Sequence, residues 1–463
     1  MSRPSQQGQP PIITREEAEA LGKRVLGFAT ADETRVAINS AARGNTRFAV
    51  NQVSTAGDNS DTLIAVRSVI GKRVGIATTN RRDDAGLKAV VEASERLARL
   101  SPEDPELMSE LGPQQYREGL AWVDATARLD PAGRAAAVSK ITEQARAAGL
   151  VSTGYLESRA TAQAVMNSKG LFAYSRDTDV ALTTTVRTAE GTGSGWAGAA
   201  ANDWTAIDPA ALGARAVDKA KRSANAVAIE PGRYTVILEP TAVGNLVQLI
   251  GGALSARSAD EGRSFFTKPG GGNKIGMKVV DERVTLVSDP FAPGTLGSPF
   301  APEGLPTERV VWIENGVVKN LNYDRFWAEK QGKTPTGVAP GGFGGLASLA
   351  MSGGSETIES LIAGCQRGIL VTRFWYIRSV DPRTILYTGL TRDGTFLVEN
   401  GKITRPVRNL RFNESPIFML NNIEAMGQPV RVSASESGSP GTSVVVPPLR
   451  VRDFNFTSLS EAV

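Results

Sequence analysis

RYTVILEPTAVGNLVQLIGGALSAR (233–257) changes periodicity partway along. Its first six residues, RYTVIL, are rich in β-branched and aromatic side chains and read as a strand. Beyond them Val243, Leu246, Val247, Ile250 and Leu254 recur at helical spacing, with Thr241 as the expected N-cap. No residue from Pro240 to Ala256 is ionisable. A helix with no charged face has to be buried on every side. Gly251 and Gly252 lie inside it, and each costs about 1 kcal/mol relative to Ala in a helix interior. Close packing against another element is therefore expected at both.

Around this strand–helix unit the chain divides. Its 463 residues exceed what one hydrophobic core usually supports. Two domains are expected, 1–228 and a β-rich 229–463 opened by the buried helix. In the first, Thr14 and Glu17 form a capping box for an opening helix. TRVAINSAARGNTRFAVNQV (34–53) reads as two strands about a turn at Arg43-Gly44-Asn45, and TLIAVRSVIGKRVGIATTN (62–80) as two strands about a glycine turn. Helices follow at 84–100 and 131–148, the second with Asp130 as cap and Pro131 at its first position. A meander with turns at 168–170 and 176–178 comes next, then a helix over 208–224. Grouped hairpins with separate helices make this an α+β pattern, an α/β sandwich-like domain with antiparallel hairpins.

The second half carries two Asn-Gly hairpins, IENGVVKNL (313–321) and VENGKITRP (398–406). Between them a helix is expected over 356–367, with Glu356 and Glu359 suiting its N-terminal dipole. TSVVVPPLRVRDFNF (442–456) is strand-like, and its Pro-Pro interruption suggests a sheet edge.

Composition excludes several classes of function. Apolar residues make up 41% of the chain, charged ones 22%, and the net charge is +4. The basic clusters KAKR (219–222) and RPVRNLR (405–411) lack aromatic interleaving, so they read as solvated surface, not as a nucleic-acid face. The N-terminal stretch MSRPSQQGQPPIITREEAEALG has no apolar core of a secretory signal, and no run is long enough to span a membrane. A cytoplasmic protein is expected. The single cysteine, Cys365 in ESLIAGCQRG, reads as a small buried hydrophobe at a helix end closed by Gly368.

There is no histidine. That removes Ser-His-Asp and Cys-His catalysis and every His-containing zinc site. No G-x-S-x-G elbow, S-x-x-K pair or phosphate-binding loop occurs either. GSGWAG (193–198) matches G-x-G-x-x-G, but the alternating segment before it and Pro209 soon after favour a glycine-rich turn over a dinucleotide cradle. GGGN (270–273) and GGFGG (341–345) read as mobile loops. Asp281, Glu282 and Asp289 read as strand-end charges, and no D-T/S-G signature supports an aspartic dyad.

Taken in order, ARGNTRFAVNQVSTAG (42–57), GWAG (195–198), VVWIENGVVKNLNYDRFWAEKQGKTPTG (310–337), SGGSETIESLIAGCQRGILVTRFW (352–375), FLVENGKITRPVRNLRF (396–412) and VPPLRVRDFNF (446–456) make the chain resemble the TldD/PmbA family. That resemblance implies a cytoplasmic protein associated with peptide hydrolysis. One branch, TldD-like, carries H-E-x-x-x-H on the helix that opens the C-terminal domain, with a later cysteine completing a zinc site. The other branch, PmbA- or TldE-like, lacks the motif and pairs with the first as a heterodimeric protease on unfolded peptides. Aligning Leu246-Val247 with the apolar pair before the motif puts Gln248, Leu249 and Ala253 at the three functional positions. Cys365 falls on an earlier helix than the family's cysteine. No catalytic, cofactor or metal residue is carried over, and zinc is expected only on a TldD-like partner. There it would activate water while the partner's Glu moves the proton. This chain would form the other wall of the substrate channel. The alternative is a stand-alone peptide-binding or scaffold homodimer. A third reading is a hydrolase working with carboxylates alone.

Overall fold

In the N-terminal half, strand pairing continues through segments whose composition suggests turns. The computed structural model describes residues 12–338, 346–436, 441 and 443–460, so GGFGG (341–345) lies outside the described residues. It begins with α1 (Arg15–Leu26), opened by the expected Thr14–Glu17 capping box. Strands β1 (Glu33–Ala49), β2 (Gln52–Ile70) and β3 (Arg73–Thr79) follow. Next come α2 (Asp84–Leu100), the short α3 (Asp124–Ala127) and α4 (Pro131–Ala147), capped by Asp130. Then β4 (Val151–Asn167), β5 (Phe172–Arg187), β6 (Ser194–Ala201) and α5 (Pro209–Arg222) complete this half. The six strands form one antiparallel sheet in the order β3-β2-β1-β4-β5-β6.

Two expected turns are absent. Arg43, Gly44 and Asn45 continue β1, paired with Asn59, Asp58 and Gly57. The chain reverses instead at Val50-Asn51, both in the left-handed region at φ 50° and 59°. Asn51 holds that turn, donating to the Leu150 carbonyl and accepting from the Ser152 amide, each at 2.7 Å. Gly44 serves another need: the buried Arg134 guanidinium occupies the space a Cβ would take. Residues 176–178 likewise continue β5, with Asp177 opposite Thr161. The turn at 168–170 is present, with Gly170 at φ 87°.

GSGWAG is neither a turn nor a cradle. It runs into β6, where Gly195 lets α5 lie directly on the strand, since a Cβ there would strike the Ala216 carbonyl and the Ala220 amide. The KAKR cluster is not all solvated either, because Lys219 lies on the buried face of that helix.

All helices of this half cover one face of the sheet. Val36, Ile38, Ile64 and Val66 pack against α1 and α2, while Phe48, Leu156 and Leu182 pack against α4 and α5. The odd-numbered β1 residues, Asn39, Arg43 and Arg47 among them, stand on the opposite, more exposed face.

The C-terminal half opens with β7 (Gly232–Leu238), α6 (Pro240–Ala253) and α7 (Ala256–Asp260). Strands β8 (Leu286–Ser288), β9 (Val310–Glu314) and β10 (Val317–Val318) precede α8 (Arg325–Lys330). Then follow β11 (Leu349–Met351), α9 (Ile358–Ala363), β12 (Arg367–Asp381), β13 (Leu386–Glu399) and β14 (Lys402–Pro406). β15 (Leu410–Glu414), α10 (Pro416–Asn421) and β16 (Ile423–Met426) come next. The last strands are β17 (Val430–Ser433), β18 (Ser443–Val446) and β19 (Leu449–Leu459). One sheet runs β10-β9-β8-β11-β18-β17. In the other, β12-β7-β19-β15-β13 closes on itself through β12–β13 pairing. Phe374, Phe412, Phe454 and Phe456 stack in its core, with successive ring centroids 4.6–5.7 Å apart. Both Asn-Gly hairpins form, with positive φ at Asn315, Gly316, Asn400 and Gly401.

Several local readings are corrected here. β19 is not an edge: it lies between β7 and β15, and Pro447-Pro448 sit at the corner where the chain leaves one sheet for the other. The helix expected over 356–367 is only α9, because Arg367 and Gly368 are already pairing with β13 and β7. Cys365 is buried as expected, but among Ile237, Leu361, Leu370 and Val398 between α9 and β12. GGGN is a tight turn closed by the Lys268 amide on the Gly272 carbonyl at 2.9 Å. Thr241 is not the cap of α6; Glu239 is, with Pro240 at the first position. Gly251 is buried but Gly252 is exposed. A close approach occurs at Gly244, where a Cβ would come within 2.9 Å of a Val432 methyl and 3.0 Å of a Val444 methyl.

Candidate functional site

The helix-free face of the N-terminal sheet meets α6 and the loops around residues 296–302 and 346–348. Between them lies a cavity of about 420 Å³. Strand register builds its sheet wall: Asn39 of β1 sits between Leu63 of β2 and Gln163 of β4, and Ala37 between Ala65 and Val165. Arg159 and Asp177 close one side, and Gln248, Leu296, Phe300, Leu346 and Val444 form the facing wall. Its volume and mostly apolar lining with a few polar groups suit a small-ligand or peptide-segment pocket.

Charge is concentrated at the Arg159 side. Burial pushes the Asp177 carboxyl up to about 6, against the pull of Arg159, whose Nη2 is 3.8 Å away. Asp179, two residues on and fully buried, is committed elsewhere. It accepts from Arg431 at 2.9 Å and from the Gly441 amide. Burial also raises its pKa, with the two arginines opposing. Arg159 Nε is buried without a hydrogen-bond partner.

The α6 wall is built from amides. Asn245 donates to the Ala434 carbonyl at 2.9 Å and accepts from the Phe374 amide at 3.1 Å, so both ends of a fully buried side chain are satisfied. One turn on, Gln248 donates to the same Ala434 carbonyl at 2.5 Å. Leu249 and Ala253 are partly buried against the core. Gln248, Leu249 and Ala253, the positions aligned with the family's motif and given no metal role, do not fit a zinc site. The one amide nitrogen is spent on a carbonyl, the other two side chains carry no ligand atom, and Cys365 lies in a separate cluster. Among the described residues no group of three His, Cys, Asp or Glu converges on a point.

Two of the hydroxyls lining the cavity are committed to backbone. Ser298 donates to the Phe300 carbonyl at 2.8 Å and Ser348 to the Leu296 carbonyl at 2.6 Å. Asp281 is forked by Arg283, whose hydrogen bonds hold its carboxyl down at about 2. Glu282 is exposed, and Asp289 accepts from its own turn at Phe291. The structure brings none of the three into the cavity.

Buried ion pairs fix the cavity's walls relative to each other. Lys219 of α5 binds Glu239 at the start of α6 at 2.7 Å. Asp393 accepts from Ser194 of β6 at 2.6 Å and from Arg373, which stacks between Trp196 and Trp375.

Sequence reasoning named Gln248 only as a motif-aligned position without a role, and it did not single out Arg159, Asp177, Asn39 or Gln163. The usable signal was alternation: Arg159, Thr161 and Gln163 on β4 and Asp177 and Asp179 on β5 are polar at every second position. In an antiparallel sheet that pattern places them on one face.

Sequence comparison matches three models along the chain: PmbA/TldA metallopeptidase domain 1 over residues 35–98, the central domain over 123–224, and the C-terminal domain over 231–458. A protein named metalloprotease from Methanothermobacter thermautotrophicus is 26% identical over 257 residues, 52% of this chain and 54% of that protein. A metalloprotease TldD homolog from Haemophilus influenzae is 27% identical over 241 residues, 50% and 48% of the two chains. The chain thus spans about half the length of the curated relatives it matches. The crystal structure of TldE from Thermococcus kodakarensis shares the fold, with a TM-score of 0.83 at 21% identity over 95% of this chain and all of that one.

Proposed function

The chain belongs to the PmbA/TldD metallopeptidase family, and within it we propose that it is the non-catalytic, PmbA/TldE-like subunit of a cytoplasmic heterodimeric protease acting on unfolded peptides. A TldD-like partner bearing H-E-x-x-x-H supplies the metal chemistry. This subunit supplies one wall of the substrate channel and holds an extended peptide segment in the cavity beneath α6. The observation that carries this reading is the state of α6. The helix keeps its place against the cavity, yet its polar side chains, Asn245 and Gln248, serve as structural clamps on Ala434.

Co-expression with an H-E-x-x-x-H subunit from the same source tests it, with size-exclusion chromatography, metal analysis and a fluorogenic peptide assay on each peak. The expected result is a stable complex whose peptidase activity is lost with a chelator, and an isolated chain that neither retains stoichiometric zinc nor cleaves peptide. Cleavage by the isolated chain at the rate of the mixture overturns the assignment. Absence of any complex leaves the stand-alone peptide-binding homodimer. For that reading the exposed run Gln52–Asp61 of β2, unpaired on its outer side, offers a strand edge.

A further inference from the structure

The cavity has one feature that packing does not require. Arg159 lines it with its guanidinium poorly matched: Nε has no partner, and the nearest carboxylate oxygen, of Asp177, is 3.8 Å from Nη2, outside hydrogen-bond range. The other carboxylate nearby, Asp179, is taken by Arg431 and the Gly441 amide. A guanidinium carries five donors in a planar fork that matches a carboxylate's two oxygens. At two other arginines such a fork is filled: Arg257 grips Glu106 through Nη1 and Nη2 at 2.6 and 2.8 Å, and Arg283 grips Asp281 through Nε and Nη2. The buried Nε atoms of Arg134 and Arg431 also lack a partner, but each of these arginines holds a carboxylate through Nη2.

We propose that Arg159 is the carboxylate-binding residue of this cavity, so that the peptide segment it takes presents an anionic carboxylate to the Arg159 side and apolar groups to Leu63, Phe300 and Val444. This rests on the peptide-binding reading above and adds its ligand class. Two sources share the chemistry, a peptide's C-terminal carboxylate and an acidic side chain. The apolar wall opposite suits either.

The test is fluorescence anisotropy with the full chain and N-terminally labelled unfolded peptides of one apolar-rich sequence. One has a free C-terminus, one a C-terminal amide, and one a C-terminal amide with a single internal Glu. At least one carboxylate peptide should bind about tenfold or more tighter than the neutral amide, as expected for a charge-assisted hydrogen bond, and which one identifies the source. Arg159→Gln should erase that preference, so that the carboxylate peptides bind no more tightly than the neutral amide. Arg159→Lys, which keeps the charge without the fork, should retain part of it. These variants are compared by thermal melting first, and the neutral peptide serves as the control for an intact cavity. Equal binding of all three peptides, or a preference that survives Arg159→Gln, overturns the carboxylate assignment and leaves the peptide cavity standing. Binding of none overturns the peptide reading itself, and the carboxylate assignment with it.

Discussion

Lys219→Met should destabilise the protein by about 3 kcal/mol, near the lower end of the 3–5 kcal/mol typical of breaking a buried ion pair by removing one partner. Lys219 Nζ lies 2.7 Å from Glu239 Oε2, and the two side chains are 9% and 13% exposed. Methionine keeps the aliphatic stem in its slot, so the loss is that of the charge. Glu239 is left in a dry position at the first turn of α6, where its side chain caps no amide. The helix dipole still favours a negative charge there by up to about 2 kcal/mol, which places the cost at the lower end of the range. The double variant Lys219→Met/Glu239→Gln leaves no stranded charge and should cost less than Lys219→Met alone, giving a coupling energy of about 2 kcal/mol. Urea unfolding followed by tryptophan fluorescence reads all four corners of the cycle. A Lys219→Met cost below about 1 kcal/mol, or a double variant worse than both single ones, would refute the argument that this pair is effectively desolvated.

Three further outcomes follow from single residues. Burial raises Asp177 from 3.8 to about 6, so between those values the native state keeps a proton that the unfolded chain releases. The stability this gives at low pH is lost as pH rises through the window, on the order of 3 kcal/mol. Asp177→Asn should therefore be more stable than the parent above pH 6, with a flatter profile from pH 4 to 6; identical melting profiles would contradict the shift. Gly195→Ala should cost about 1–3 kcal/mol by overpacking, because its Cβ meets backbone of α5 at Ala216 and Ala220 rather than a movable side-chain end. An unchanged thermal midpoint would mean that α5 can slide on β6. Val50→Asn should stabilise by about 1 kcal/mol, since a β-branched residue at φ 50° is strained and Asn tolerates that region. Val50 is 67% exposed, so little packing is lost, and a lowered midpoint would show that its methyls make contacts that matter.

Helix limits were legible where the sequence carries both a periodicity and a cap. Asp130-Pro131 opens α4 as read, and α2 and α5 fall within a residue or two of their expected spans. Asn-Gly hairpins were legible for the same reason, since two adjacent positive-φ positions narrow the residue choice. The errors cluster where polar residues sit inside long strands. Arg43-Gly44-Asn45 and Arg176-Asp177-Thr178 look like turns by composition, yet they are strand positions on an open sheet face or under a buried arginine. The true reversal at Val50-Asn51 contains no glycine and depends on Asn51 reaching the start of β4, almost one hundred positions away in the chain. Such a contact leaves no local signal. The edge assigned to the tail failed similarly, because Pro447-Pro448 was read as part of one strand when it is the corner between two.

The same limit explains why sequence directed attention to the wrong wall of the cavity. Motif reasoning works along one element, so it examined α6, where the family's chemistry would sit, and found amides and apolar side chains. The polar character of the cavity comes instead from β1, β4 and β5, and Asn39, Gln163, Arg159 and Asp177 become neighbours only through strand register. On the α6 side both amides are bound to backbone, so changing them perturbs the wall's shape before its chemistry. On the sheet side Arg159 and Asp177 are loosely matched and face the cavity, so changing them alters charge before shape. The charge that lines this cavity thus comes from the sheet and not from α6.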